Sequence, residues 1–221
     1  MTSIIFNYHP VLRLKEGEYR ALGRVTPSVR DRITPCFILP PPQERDVETK
    51  RVLSTDEFVY SAGRRVGMYW PRRTCFIDAR FLFKDLGDGA AADWLPRIFK
   101  IARDVGGQPI PLASLQDITA TRAEAFKSAM PLFGIKMGVR VSFGDLGSDL
   151  KDILASGLNN LGVGPAECVI FLDFADADLS DPQVISEFLV EAVETLQELG
   201  RWSGIVFQGT HYPEKNPAAS D

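Results

Sequence analysis

Seven short apolar runs, each separated from the next by a longer stretch, constrain this chain more than any other feature. The runs are residues 8–14 (YHPVLRL), 33–39 (ITPCFIL), 74–83 (TCFIDARFLF), 109–115 (PIPLASL), 135–143 (IKMGVRVSF), 168–174 (CVIFLDF) and 204–208 (GIVFQ). A short, near-continuous apolar run reads as a strand covered on both faces, which is the condition of a parallel sheet flanked by helices. The intervening stretches carry helical spacing. Tyr19, Leu22, Val25 and Val29 mark residues 17–31, interrupted at Pro27. Ser54 or Thr55 can cap a helix running to about Met68, with Phe58, Ala62 and Val66 on one face. Trp94, Ile98, Phe99, Ala102 and Val105 form the stripe of a helix over 93–105, with Pro96 in its first turn and Gly106 as its stop.

The second half continues the pattern. Thr121 and Glu124 have capping-box spacing for a short helix over 122–132. A helix over 148–161 carries Leu150, Ile153, Leu154, Leu158 and Leu161, and one over 182–199 is opened by Asp181 and Pro182 and stopped by Gly200. Strand and helix in alternation predict an α/β protein with parallel strands. Two architectures satisfy this. One is a TIM-type (β/α) barrel of about seven strands, incomplete by one βα unit relative to the full eight. The other is an open doubly wound sheet, whose dinucleotide-binding form is disfavoured because no GxGxxG follows the first strand. The barrel is preferred, as a single domain over 1–209 with a polar tail over 210–221.

Composition narrows the function classes. The 221 residues are 45% hydrophobic and 24% charged, which excludes a disordered or collagen-like chain. With 25 Lys and Arg against 29 Asp and Glu, the net charge of −4 exerts no general pull toward nucleic acid or anionic membrane. No apolar run reaches the roughly 18 residues of a membrane span, and MTSIIFNYHP lacks the form of a signal peptide, so the expected location is the cytoplasm. Cys36, Cys75 and Cys168 are odd in number and far apart, which argues for buried thiols rather than disulfides or a zinc site. His9 and His211 are the only histidines, too few for a multi-histidine metal centre.

In parallel α/β folds, ligands meet the C-terminal ends of the strands. That rule selects Lys15, Asp78, Arg80, Ser114, Gln116, Arg140, Asp145, Asp173, Asp176, Gln208 and His211. Lys15 can pair with an anion or, if desolvated, act as a base or Schiff-base nucleophile. Asp78 lies inside an apolar strand and needs a cationic partner, which Arg140 could supply. Asp173 ends the sixth strand as a second candidate carboxylate. The candidate catalytic set is therefore Lys15, Asp78 and Asp173, and the candidate ligand-binding set is Lys15, Arg140 and Gln208. Asp173, Asp176, Asp178 and Asp181 do not fit an EF-hand, and no metal is expected. Arg64, Arg65, Arg72 and Arg73 flank Tyr69 and Trp70, an interleaving that can hold single-stranded nucleic acid; the plainer reading is a basic loop with Trp70 in the core.

The opening Tyr8-His-Pro-Val-Leu-Arg-Leu-Lys15-Glu-Gly-Glu18-Tyr-Arg-Ala-Leu22 resembles the start of the beta protein family of phages and bacteria. Looser similarity extends through Ile77-Asp78, Val139-Arg140-Val141 and Leu172-Asp173. The resemblance implies a (β/α) barrel and a connection with phage–host conflict; it assigns no reaction and leaves any cofactor open. The family's glutamate in the second strand corresponds here to Leu39, which removes one candidate carboxylate. The combined expectation is a barrel binding a small anionic or phosphate-bearing ligand at its strand ends. The alternative is a non-catalytic module for a protein or nucleic-acid partner. A seven-stranded sheet with open edges also predicts self-association, or a partner chain that completes the barrel.

Overall fold

The computed structural model describes residues 8–42, 53–119, 121–175 and 182–209. The chain divides into two compact units, residues 1–111 and 112–221.

The first unit contains β1 (Val11–Arg13), α1 (Glu16–Arg24), α2 (Pro27–Arg30), β2 (Cys36–Ile38), α3 (Thr55–Tyr69), β3 (Thr74–Asp78), α4 (Phe83–Leu86) and α5 (Ala91–Asp104). β1, β2 and β3 pair in parallel and in chain order. The register aligns Leu12, Phe37 and Ile77 in one row and Arg13, Ile38 and Asp78 in the next. Side chains alternate across a strand, so these rows face opposite sides of the sheet. Cys36, Phe37 and Ile38 are all fully buried, as a strand covered on both faces must be.

α3 starts where Ser54 and Glu57 form a reciprocal capping box, with each side chain accepting the other's backbone N–H. Val59, Ala62, Gly63, Val66 and Gly67 form its buried stripe. The stripe lies on α5, and its two glycines set the distance. A methyl group added at Gly63 would sit 2.6 Å from the carbonyl oxygen of Ile98, and one at Gly67 would sit 2.6 Å from that of Ala102. Only hydrogen atoms at these positions let the two backbones approach so closely.

The second unit contains the end of β4 (Gln108–Ser114), then α6 (Leu115–Thr119), α7 (Ala123–Ala129), β5 (Met137–Ser142), α8 (Leu150–Leu161), β6 (Cys168–Asp173), α9 (Pro182–Leu199) and β7 (Gly204–Gln208). β4 to β7 again pair in parallel and in chain order. β6, the clearest strand in the sequence, is buried over its whole length. The fold class is therefore the expected one, an α/β chain of parallel βα units of the (β/α)-barrel type, with seven strands among the described residues.

Three local expectations are corrected. The third strand ends at Asp78 rather than at residue 83, because Asp78 turns the chain and Phe83–Leu86 forms a short helix. The fifth helix begins at Ala91, so Pro96 lies inside it and one main-chain hydrogen bond is absent there. Thr121 and Glu124 do not cap α7, which starts at Ala123 after Arg122 and has no side-chain cap. The box in this region is built one helix earlier, by Ser114 and Asp117. The expected cap at Asp181, the acidic residues Asp176 and Asp178, and His211 lie outside the described residues.

Candidate functional site

The polar residues buried in this protein are concentrated where strands end. Among the described residues they are Arg13, Asp78, Asp117, Arg140, Asp173 and Gln208. An ionised side chain in such a position must be paired or strongly hydrogen-bonded, since an isolated buried charge is very costly.

In the first unit, Arg13 ends β1 and is 2% exposed, while Asp78 ends β3 and is 1% exposed. They belong to the same row of the sheet, separated by Ile38. Lys15 is half-buried at the position preceding α1, after a bend at Leu14 closed by the Lys15 N–H donating to the Arg13 carbonyl oxygen at 2.7 Å. Asp78 is held by its own turn. One carboxylate oxygen accepts the backbone N–H of Arg80 at 2.9 Å, and the other accepts Arg80 Nε at 2.6 Å. The second cation of the group is thus two residues from the carboxylate. Phe81 joins it to the first: Arg13 Cζ lies 5.6 Å from the centre of the Phe81 ring and Arg80 Cζ 5.8 Å. The Glu18 carboxylate accepts the backbone N–H of Arg13 at 2.6 Å, tying the first turn of α1 to the end of β1. Two guanidiniums therefore meet at the Phe81 ring at the strand ends of this unit, with one buried carboxylate beside them.

In the second unit, Ser142, Asp173 and Gln208 stand in one row across β5, β6 and β7. Arg140 lies one pleat inward, paired in register with Ser114 on one side and Phe171 on the other. The carboxylates here hold the turns that leave the strands. Asp117 accepts the backbone N–H and the hydroxyl of Ser114 at 2.9 and 2.7 Å, and Arg122 Nη1 at 2.7 Å. Asp145 does the same for Ser142, at 2.8 and 2.6 Å. Asp173 accepts the N–H of Ala175 at 3.1 Å, the same turn that Asp78 makes. No group of three or more His, Cys, Asp or Glu suited to a metal ion occurs among the described residues.

Lys15 and Asp78 thus fall in the first unit, and Arg140, Asp173 and Gln208 in the second. Reading the sequence missed Arg13 and Phe81 as members of the first group. Arg13 sits inside the apolar run VLRL, and a single cation on the face shared with Asp78 is the signal that could have shown it. Ser114-x-x-Asp117 and Ser142-x-x-Asp145 repeat one spacing directly after two strands, and that repeat marks them as turn-holding pairs. Trp70 is not a stacking platform: it is buried, and its indole N–H donates to the Thr74 carbonyl oxygen at 3.0 Å. Arg73 lies over that ring and pairs with Asp31 at 2.6 Å.

The opening segment, the parallel βα repeat and the polar strand ends agree with a family match that runs over nearly the whole chain. A family model described as Beta protein matches residues 8–221. The chain belongs to the Beta protein family. No curated protein matches it. In this Beta protein, Tyr8, Pro10, Leu12, Lys15 and Glu18 of the opening segment are the residues that begin β1, pass Arg13 and start α1. No helix among the described residues is long and apolar enough to cross a membrane.

Proposed function

We propose that this Beta protein binds a small anionic or phosphate-bearing ligand at the C-terminal ends of β1 and β3. The observation that carries the reading is the burial of Arg13 beside Phe81 with Arg80 on the same ring, in the row that ends with Asp78. Arginine presents several donors in one plane and is weakly hydrated for a cation, so it suits an anion site shielded from water. Lys15, two residues beyond Arg13, would add a point charge. Asp78 supports the site by fixing the Arg80 side chain. Its carboxylate is engaged by that guanidinium, which favours a positioning role over proton transfer. The reading is therefore binding first, with any reaction supplied by the ligand's own chemistry. The three buried free thiols support a reducing, cytoplasmic setting.

Isothermal titration with inorganic phosphate and with a nucleoside monophosphate tests the site. The wild-type chain binds at least one of them, Arg13→Met and Lys15→Met each weaken it by about tenfold or more, and raised salt weakens it further. Equal binding by wild type and both variants, or no binding of either probe, overturns the reading. A role in phage–host conflict is supported by the family membership. It predicts that cells carrying the wild-type chain and cells carrying Arg13→Met differ in plaque yield, and equal yields across a phage panel reject it.

A further inference from the structure

The two units carry opposite charge. Residues 1–111 hold 18 Lys and Arg against 13 Asp and Glu, a balance of +5. Residues 112–221 hold 7 against 16, a balance of −9. Part of the asymmetry falls on one stretch of each unit, in the first on residues 58–73, which hold Arg64, Arg65, Arg72 and Arg73 and no Asp or Glu, and in the second on α9. On α3, Tyr60, Arg64 and Met68 recur every fourth residue and so share one face, and Tyr60 is 56% and Met68 51% exposed. Arg72 is exposed just beyond the end of that helix. On α9 no Lys or Arg occurs in 18 residues. Glu187, Val190 and Glu194 share its outer face, with Glu191 beside them, and Val190 is 56% exposed. Among the described residues, Arg64, Arg72, Glu187, Glu191 and Glu194 make no ion pair, whereas Glu198 at the end of the helix is paired with Lys151.

From Tyr60 onward on α3, and from Glu187 to Glu194 on α9, exposed apolar side chains mix with charge of a single sign; Asp56, one turn before Tyr60, is paired with Arg97. An apolar residue at the centre of such a face gains by burial, and the flanking charges select the partner and its register. Tyr60 to Met68 spans about 12 Å of helix and Glu187 to Glu194 about 10 Å, at a rise of about 1.5 Å per residue. The two patches therefore match in length and are opposite in sign.

From these faces we infer that a second copy of this chain is the partner: the α3 face of one protomer receives the α9 face of another. The complement is encoded at equal abundance by the same chain. The total charge of −4 disfavours a polyanion as the alternative occupant of the α3 face. The contact is heterologous, joining two different surfaces, so it generates a ring or a chain of protomers rather than an isologous pair.

Sedimentation velocity of the full chain tests this. At about 0.02 M salt the wild type associates in a concentration-dependent way, and at about 0.5 M salt it returns to the monomer. Arg64→Glu with Arg72→Glu, and separately Glu187→Arg with Glu194→Arg, weaken association by about tenfold or more, because each sets like charges face to face. The charge-swapped variants mixed in equal amounts associate again, which a merely damaged protein does not do. A wild type that stays monomeric at low salt overturns the proposal. So does a pair of folded variants, shown by native far-UV circular dichroism, that associate alone or fail to associate when mixed. Tight binding of a labelled single-stranded DNA to the wild type, lost on altering Arg64 and Arg72, also overturns it and assigns the α3 face to nucleic acid.

Discussion

Gly67→Ala adds a single methyl group where α3 crosses α5, and the structure fixes the sign of its effect. The new Cβ would meet the side chain of Val105 and lie 2.6 Å from the carbonyl oxygen of Ala102. A carbon–oxygen contact is comfortable at about 3.3 Å, so the helices must separate by roughly 0.7 Å at that point. Much of the obstruction is backbone, which cannot turn aside as a flexible side chain can. Overpacking of this kind costs about 1–3 kcal/mol, and a backbone clash belongs at the upper end. Alanine in a helix gains back roughly 1 kcal/mol over glycine. The expected net loss is therefore about 2 kcal/mol, on the overpacking and helix-propensity figures taken together.

Gly23→Ala in α1 is the control, because a methyl group there meets nothing within 4 Å. It should raise stability by up to about 1 kcal/mol through helix propensity alone. Urea denaturation followed by tryptophan fluorescence reads both, since Trp70 and Trp94 are buried in the first unit. Opposite shifts of the midpoint are expected. If Gly67→Ala raises the midpoint as Gly23→Ala does, the close approach of α3 and α5 is refuted.

Three further outcomes follow from particular side chains. Asp117→Ala removes the acceptor for Ser114 and for Arg122 at a buried position, and should lower stability by about 2–4 kcal/mol in the same urea assay. Burial holds the His9 imidazole below its usual value of 6.5, so the unfolded chain takes up the proton first. Stability is then fully present above about pH 6.5 and declines below it, and urea midpoints at several pH values should show a decline that His9→Gln reduces. Burial pushes the Cys168 thiol up to about 12 and raises that of Cys75 further. Alkylation followed by mass spectrometry should find both unmodified in the native protein at neutral pH and modified in urea.

The strands were legible because each is an apolar run with a single period, and parallel pairing follows from their alternation with helices. β6 (CVIFLDF in sequence) shows this best, since burial on both faces leaves no polar position before Asp173. The errors came where one polar residue serves two readings. Asp78 looked like a residue within a longer strand, yet its carboxylate ends the strand by accepting the N–H of Arg80. Thr121 and Glu124 had the spacing of a cap, but spacing cannot tell which of two nearby pairs, theirs or Ser114 and Asp117, takes the helix start. Pro96 looked terminal because proline is tolerated in a first turn, while Ala91 and Trp94 carry the helix back past it. Arg13 was hidden by its neighbours: Val11, Leu12 and Leu14 make the segment read as core, and only the register with Asp78 shows that the cation shares a face with a carboxylate.

The division of roles among the polar strand ends bears on the kind of chemistry this fold can support. A general acid or base needs a carboxylate that can exchange a proton with a ligand, at hydrogen-bonding distance and with its protonation state free to change. Asp117 and Asp145 each accept a backbone N–H and a hydroxyl from the serine three residues earlier, and Asp117 also accepts from Arg122. Asp78 accepts a backbone N–H and a guanidinium. Asp173 makes the same turn as Asp78, so the recurring task of the carboxylates is to bend the chain out of a strand. The cations are placed differently. Arg13 ends β1, and the Lys15 carbonyl oxygen accepts the N–H groups of Glu18 and Tyr19 at the start of α1. The proposed anion would meet the guanidiniums of Arg13 and Arg80 on either side of Phe81 at these strand ends. A variant that exchanges Asp78 for Asn should then retain part of the phosphate binding, because the Asn carbonyl can still accept from Arg80. Arg13→Met should abolish it, and the reverse order of effects would show that the carboxylate, not the guanidinium, makes the contact that matters.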